Sequence, residues 1–206
     1  MLNNDQIDLL LKLEQQGVLQ HVFISYNTNA TIMPSDKIVD LWSRARLVKL
    51  FFSIDATGSA FEYIRWPAKW QQATDNICAM KNNLPNNVMF GCNITVGNYN
   101  LLEMADLYDW FDQNISCNRE GDTSDFCWQS STGFDLRDLP LEAKVRAVEQ
   151  LQKISEFDGL VNYVKSTFQH DEDLSWINKL QALDAKRNTD WKSALTVSKF
   201  IKEKTC

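Results

Sequence analysis

Leu47-Val48-Lys49-Leu50-Phe51-Phe52-Ser53-Ile54-Asp55-Ala56 is the stretch whose reading decides the fold. It is apolar at nearly every position up to Ile54 and then turns polar. Such a run suits a β-strand covered on both faces, as in a parallel sheet. Alternation along the strand places Phe51, Ser53 and Asp55 on one side and Leu50, Phe52 and Ile54 on the other.

The segments on either side repeat the alternation of strand and helix. Upstream, His21 to Asn27 is a short apolar run in which Ser25 and Asn27 share a parity, and it breaks into the polar turn Asn27-Thr28-Asn29-Ala30-Thr31. Pro34-Ser35-Asp36 opens a helix with Ile38, Leu41, Trp42 and Ala45 on one face. Residues 3–17 carry Ile7, Leu10 and Leu11 at helical spacing, with Gly17 suited to the helix end. Downstream, a loop holding Gly58 leads to a long helix from about Pro67 to Asn82. Pro85-Asn86-Asn87 turns the chain into a third strand, Val88–Val96, with Val88, Phe90, Cys92, Ile94 and Val96 as its apolar face. Met89, Gly91, Asn93 and Thr95 form the more polar face. A helix over 101–113 follows Asn98-Tyr99-Asn100.

Strands alternating with helices imply parallel strands joined by right-handed crossovers. Three strong strands and a weaker candidate at Asp125–Ser130 are too few for a closed eight-stranded barrel. The expected fold is therefore α/β, a partial (β/α) barrel over 1–115. A polar loop at 116–138 carries the candidate further strand. A helical C-terminal extension at 139–206 has helices at 141–156, 159–168, 172–186 and 190–203.

Composition narrows the function classes. A chain of 206 residues with 44% hydrophobic and 23% charged residues is an ordinary globular protein. At this size roughly 70% of the unfolded surface is buried on folding, so disulfide staples are not needed. A net charge of −6 argues against a bulk nucleic-acid binder and leaves room for a small local anion site. No apolar run reaches membrane-span length and no export signal is present, so the chain reads as cytoplasmic. On that reading the sequons at Asn29, Asn93 and Asn114 are without consequence. Cys78, Cys92, Cys117, Cys127 and Cys206 are widely spaced, which reads as free thiols. With only His21 and His170, no histidine-rich metal site is expected.

In parallel βα folds, function collects at the C-terminal strand ends. Here those ends carry a polar layer of Ser25, Asn27, Ser53, Asp55, Asn93 and Thr95, which requires partners among themselves, water or a ligand.

These residues also carry a family likeness. Tyr26-Asn27-Thr28-Asn29-Ala30-Thr31 resembles the T-N-G-T turn of radical S-adenosylmethionine (SAM) enzymes. Ser53-Ile54-Asp55-Ala56 with Tyr63-Ile64-Arg65 resembles their S-I-D-G … Y-x-x-I-R segment. Trp70, Asn76, Ile77, Ile94-Thr95-Val96 and Asn98-Tyr99-Asn100 continue the likeness in order over about residues 3–115. Within the superfamily it is most similar to the branch with SPASM or twitch extensions, phage members included. Leu139-Pro140-Leu141-Glu142-Ala143-Lys144 and Leu183-Asp184-x-x-Arg187 resemble the tail of such proteins.

The resemblance implies a partial (β/α)₆ barrel that binds SAM. Ser53 would hydrogen-bond the ribose or methionine part, and Arg65 would pair with the carboxylate. Asn29, Asn93 and Thr95 would face the same ligand, while Asp55 and Asn27 would order the loop or line the substrate cavity. Apart from that resemblance, Arg65 reads as half of a surface ion pair with Glu62 or a neighbour, and Asp55 as a helix or turn cap. Ala30 and Ala56 stand where the family carries Gly, positions that suit a positive φ.

The family's chemistry uses a [4Fe-4S] cluster held by a three-cysteine motif. That motif is absent here, and Cys78 and Cys92 lie on a helix and on an apolar strand face. An auxiliary cluster on Cys117, Cys127 and Cys206 is a minor expectation beside free thiols. The expected function is that of a fragment or truncated form of a radical SAM iron-sulfur enzyme, inactive alone, beginning in the helix after the second barrel strand. Its N-terminal half would come from a separate chain or a missing segment. The resemblance leaves the substrate unknown, a peptide being suggested by analogy alone. The alternative is a catalytically inactive α/β binding or accessory module without a cluster. An anion-binding protein built on the Asn27–Thr31 loop and a small phosphate-binding barrel enzyme also remain open at this stage.

Overall fold

A computed structural model describes residues 4–115 and 126–201. The chain is α/β, with a four-stranded sheet in the order β1-β2-β3-β4. Its strands are β1 (Phe23–Thr28), β2 (Leu47–Ser53), β3 (Val88–Val96) and β4 (Phe126–Ser130). β1 pairs with β2 and β2 with β3 in parallel. Around the strands run α1 (Asn4–Gln15), α2 (Asp36–Arg44), α3 (Gly58–Ile64), α4 (Trp70–Asn83) and α5 (Met104–Asn114). The later helices are α6 (Leu141–Leu151), α7 (Asp158–Ser166), α8 (Ile177–Arg187) and the single turn α9 (Trp191–Ala194). No described helix is long and apolar enough to cross a membrane.

The described residues fall into two compact units. The first draws on 4–54, 68–93, 111–115 and 126–127, and the second on 55–67, 94–110 and 128–201.

In the first unit, helical spacing of apolar residues explains which faces are buried. α2 buries Ile38, Leu41 and Trp42, and α4 buries Ala73, Ile77 and Met80. Ser35 precedes α2 in an extended conformation, with Asp36 in the first turn and Arg44 in the last, which matches the helix dipole at both ends. The strands present Val48, Leu50 and Phe52 of β2 and Val88, Phe90 and Cys92 of β3 to the core. Phe52 stacks on Phe90 with ring centroids 5.7 Å apart.

The other face of these strands is open. Leu47, Lys49, Phe51, Ser53, Met89 and Asn93 are only half-buried, Ser25 and Asn27 are exposed, and Phe23 is 62% exposed. This corrects the expectation of a sheet covered on both faces. A continuous apolar run shows that neither side of β2 is fully wet, but neighbouring strands give that partial shielding without a covering layer.

In the second unit, α3 occupies the segment expected to be a loop. Thr57 lies in an extended conformation before it, and the last helical residue is Ile64, short of Pro67. In the first unit, the single long helix expected over 67–82 begins instead at Trp70; α6 and α7 belong to the second. Ala143, Ala147, Val148 and Leu151 of α6 and Leu160, Val161 and Val164 of α7 are buried. Lys144 is 0% exposed, and its ammonium donates to the carbonyls of Thr167 (3.0 Å) and His170 (3.4 Å) just past the end of α7. A cation there completes carbonyls that the helix leaves unpaired. Burial pushes the Lys144 pKa down. Buried Glu103 accepts from the Thr196 amide at 2.7 Å.

Candidate functional site

The candidate residues separate into two polar groups, one in each unit. In the first unit Asn27, Ser53 and Asn93 stand at the C-terminal ends of β1, β2 and β3. Ser53 is in register with Asn93, and Asn27 with Phe51. The Asn93 amide crosses β2 to donate to Asn27 Oδ1 at 2.6 Å. The Ser53 hydroxyl is half-buried on the same open face.

The turn after β1 is held by its own polar side chains. Thr28 Oγ1 accepts from the Ala30 amide (3.1 Å), and Asn29 Oδ1 accepts from the Thr31 amide (3.2 Å) and hydroxyl (2.7 Å). These are the local side-chain bonds that stabilise Asx and Ser/Thr turns. α4 pins the turn from below, with Asn76 donating to Ala30 O (2.8 Å) and Gln72 to Thr31 O (3.2 Å). Asn29 is thus spent on the turn itself. Ala30 takes a φ of 57°, in the left-handed region that favours glycine. Ala56 is not among the described residues with positive φ, so it needs no glycine.

In the second unit, Asp55, Arg65 and Thr95 come together. Asp55 is 3% exposed. Its Oδ2 pairs with Arg65 Nη2 at 2.7 Å, and its Oδ1 accepts from the Thr95 amide at 2.8 Å. Burial pushes the Asp55 pKa up, while Arg65 and the Thr95 amide pull it down. Asn100, fully buried, braces the group: its amide donates to Asp55 O (2.8 Å) and Thr95 O (3.0 Å), and its Oδ1 accepts from the Gly97 amide (2.8 Å). Sequence reasoning noticed Asn98-Tyr99-Asn100 without giving Asn100 a role. The signal was there, since a buried asparagine between a strand and a helix satisfies backbone groups at both.

Two features of this second group matter chemically. Both Asp55 oxygens are engaged, so the carboxylate is a brace and not a free base. Arg65 presents one nitrogen to Asp55 and keeps a buried Nε without a partner among the described residues.

The described thiols do not assemble into a metal-binding group. Cys78 on α4 and Cys127 on β4 are exposed, Cys92 on β3 is buried, and none of the three is in a disulfide. Cys117 and Cys206 lie outside the described residues. Among the described residues no group of three or more His, Cys, Asp or Glu could hold a metal ion. The donor set of a [4Fe-4S] cluster is therefore not found among the described residues.

A pocket of about 210 Å³ also lies in the second unit, between α3, the segments after β3 and β4, and α8. It was not foreseen from sequence, because its walls come from four distant stretches of chain. Comparison of the chain with protein-family models, with curated proteins and with solved structures yields no match.

Proposed function

We propose that this chain supplies part of a radical SAM barrel and that the open face around Asn27, Ser53 and Asn93 forms one wall of the SAM pocket. The supporting observation is the winding of the sheet. Parallel strands follow one another in chain order, with one face apolar and buried and the other polar and half-open at the C-terminal strand ends. Sequential order is the winding of a (β/α) barrel, whereas doubly wound sheets reverse direction at a switch point. The open face is then the barrel lumen. Its small polar side chains suit a ligand with a ribose and an amino-acid moiety.

The reading departs from the sequence-based expectation at Arg65 and Thr95. The Arg65 guanidinium and the Thr95 amide serve Asp55, so their role is to hold a loop. The iron-sulfur cluster has no ligand set among the described residues, and no reaction step is assigned to this chain. Cluster chemistry belongs to a cysteine-bearing portion joined to it or supplied by another chain. The second reading is a binding or accessory module that works without a cluster, in keeping with the lack, among the described residues, of any group of three or more His, Cys, Asp or Glu able to hold a metal ion.

The nucleotide sequence on the 5′ side of the Met1 codon tests the proposal. An in-frame or adjacent reading frame encoding a C-x-x-x-C-x-x-C motif is expected. An isolated frame with its own start signals and no such neighbour would overturn the fragment reading. Calorimetry with SAM is the companion measurement. The chain alone is expected to bind no tighter than about millimolar, whereas its assembly with the cysteine-bearing portion binds in the micromolar range or better and loses that affinity on Ser53→Leu. An assembly indifferent to Ser53→Leu would remove the open face from the SAM pocket.

A further inference from the structure

We propose that the 210 Å³ pocket of the second unit binds a small organic carboxylate with an apolar body, its carboxylate on Arg187. The argument begins with Arg187 itself. It closes α8, and Asn188 beyond it turns into the left-handed region with φ 54°. Asp184, three residues earlier on α8, is already occupied: one oxygen accepts from the Thr189 hydroxyl (2.9 Å) and the other from the Trp191 amide (3.1 Å). Arg187 forms none of the ion pairs found among the described residues. It lies over the Trp66 ring at 5.5 Å and makes one long bond, 3.4 Å, to Tyr63 O. A half-buried guanidinium with most of its donors unspent, facing a cavity, is a recognition group for a planar anion.

The rest of the wall selects what the anion is attached to. Ile64, Leu180 and Leu183 are apolar, and Tyr99 packs edge-on against Phe134 with centroids 5.0 Å apart. The Tyr99 phenol, pushed up to about 12 chiefly by burial, stays neutral at physiological pH and adds no competing charge. The Tyr63 hydroxyl is already engaged, with Leu180 O at 3.4 Å and with the Asp184 carboxylate, so that acid is tied to the wall and not to Arg187. One cation, a neutral aromatic wall and aliphatic flanks match a monoanion with a hydrocarbon body. A phosphate dianion would leave a charge uncompensated beside Asp184. The volume is below the ~300 Å³ at which sites for drug-sized ligands begin, so the ligand is no larger than an amino acid.

The probe is 3-phenylpropionate, titrated into the full chain and followed by NMR chemical shifts. Saturable binding with a dissociation constant on the order of a millimolar is expected. Arg187→Gln should weaken it roughly tenfold or more, and 3-phenylpropan-1-ol, with the same body and no charge, should bind about tenfold more weakly than the acid. Ile64→Trp, which fills the cavity and leaves Arg187 in place, should abolish it. Should Arg187→Gln fail to fold by circular dichroism, the acid-alcohol pair and Ile64→Trp still decide. Equal binding of acid and alcohol, unchanged binding by a folded variant, or no saturation by the wild-type chain at about 10 mM would each overturn the proposal. None of these readouts depends on SAM or on a cluster.

Discussion

Ser53 and Asp55 are two residues apart, both polar, both at the end of the same strand, and the fold treats them oppositely. Ser53 is half-buried on an open sheet face. Asp55 is 3% exposed, with an arginine on one oxygen and a backbone amide on the other. The chain changes course between them. β2 ends at Ser53, and the Ile54 amide donates back to Phe52 O at 3.1 Å. Strand parity, which puts Phe51, Ser53 and Asp55 on one side, stops applying there. The lesson is that a polar residue at a strand end becomes scaffold when it is buried, because its hydrogen bonds must then be completed from within the protein. It remains available to a ligand only where the sheet stays open.

The comparison is broken most directly at Asp55. Asp55→Ala removes both of its bonds and strands Arg65, and we expect a loss of about 3 kcal/mol in urea unfolding. That is the low end for breaking a buried pair, because the Arg65 side chain is 29% exposed. A midpoint unchanged from wild type would show that the brace contributes nothing.

Asn100→Ala comes next, at about 2 kcal/mol, since it leaves the Gly97 amide and two carbonyls without their partner in a buried site.

The two alanines in glycine-like positions sharpen the contrast at the level of backbone. Ala56→Gly is expected to cost about 1 kcal/mol, through lost methyl burial and added unfolded-state freedom. Ala30→Gly should change stability by less than about 0.5 kcal/mol, because relief at φ 57° offsets the same two losses. Equal effects in thermal melts would remove the distinction.

Titration gives a smaller and directional effect. The pKa of Asp55 is raised in the folded state, so the native protein holds that proton more tightly than the unfolded chain. The resulting stabilisation is complete below the unfolded pKa and is lost as pH rises through the folded value. The stability of the wild-type chain relative to Asp55→Asn should therefore decline from about pH 4 upward before levelling off. A relative stability that rises over that interval would reverse the assigned direction.

Least of all, Ser53→Ala should shift stability by under about 0.5 kcal/mol, as for other side chains away from buried networks. A loss comparable with that of Asp55→Ala would mean that Ser53 is scaffold too.

Much of this architecture was legible in the chain. The strands at 23–28, 47–53 and 88–96, the apolar face of the third, and the weaker strand at 126–130 follow from period-two alternation and turn residues. Those signals are local, and local signals survive in sequence. α3 was missed because its seven residues are too few to show a period, and the break before α4 because one proline can either begin a helix or precede it.

What the sequence determined by itself is the alternation of strands and helices, their parallel sense, and which strand positions are apolar, since each depends on neighbours a few residues away. Tertiary structure alone decided that one sheet face stays open, that Arg65 belongs to Asp55, and that Arg187, Tyr99 and Ile64 share a pocket. Those facts join residues 10 to 123 positions apart, and pairing over such distances is set by packing, which no local pattern of residues records.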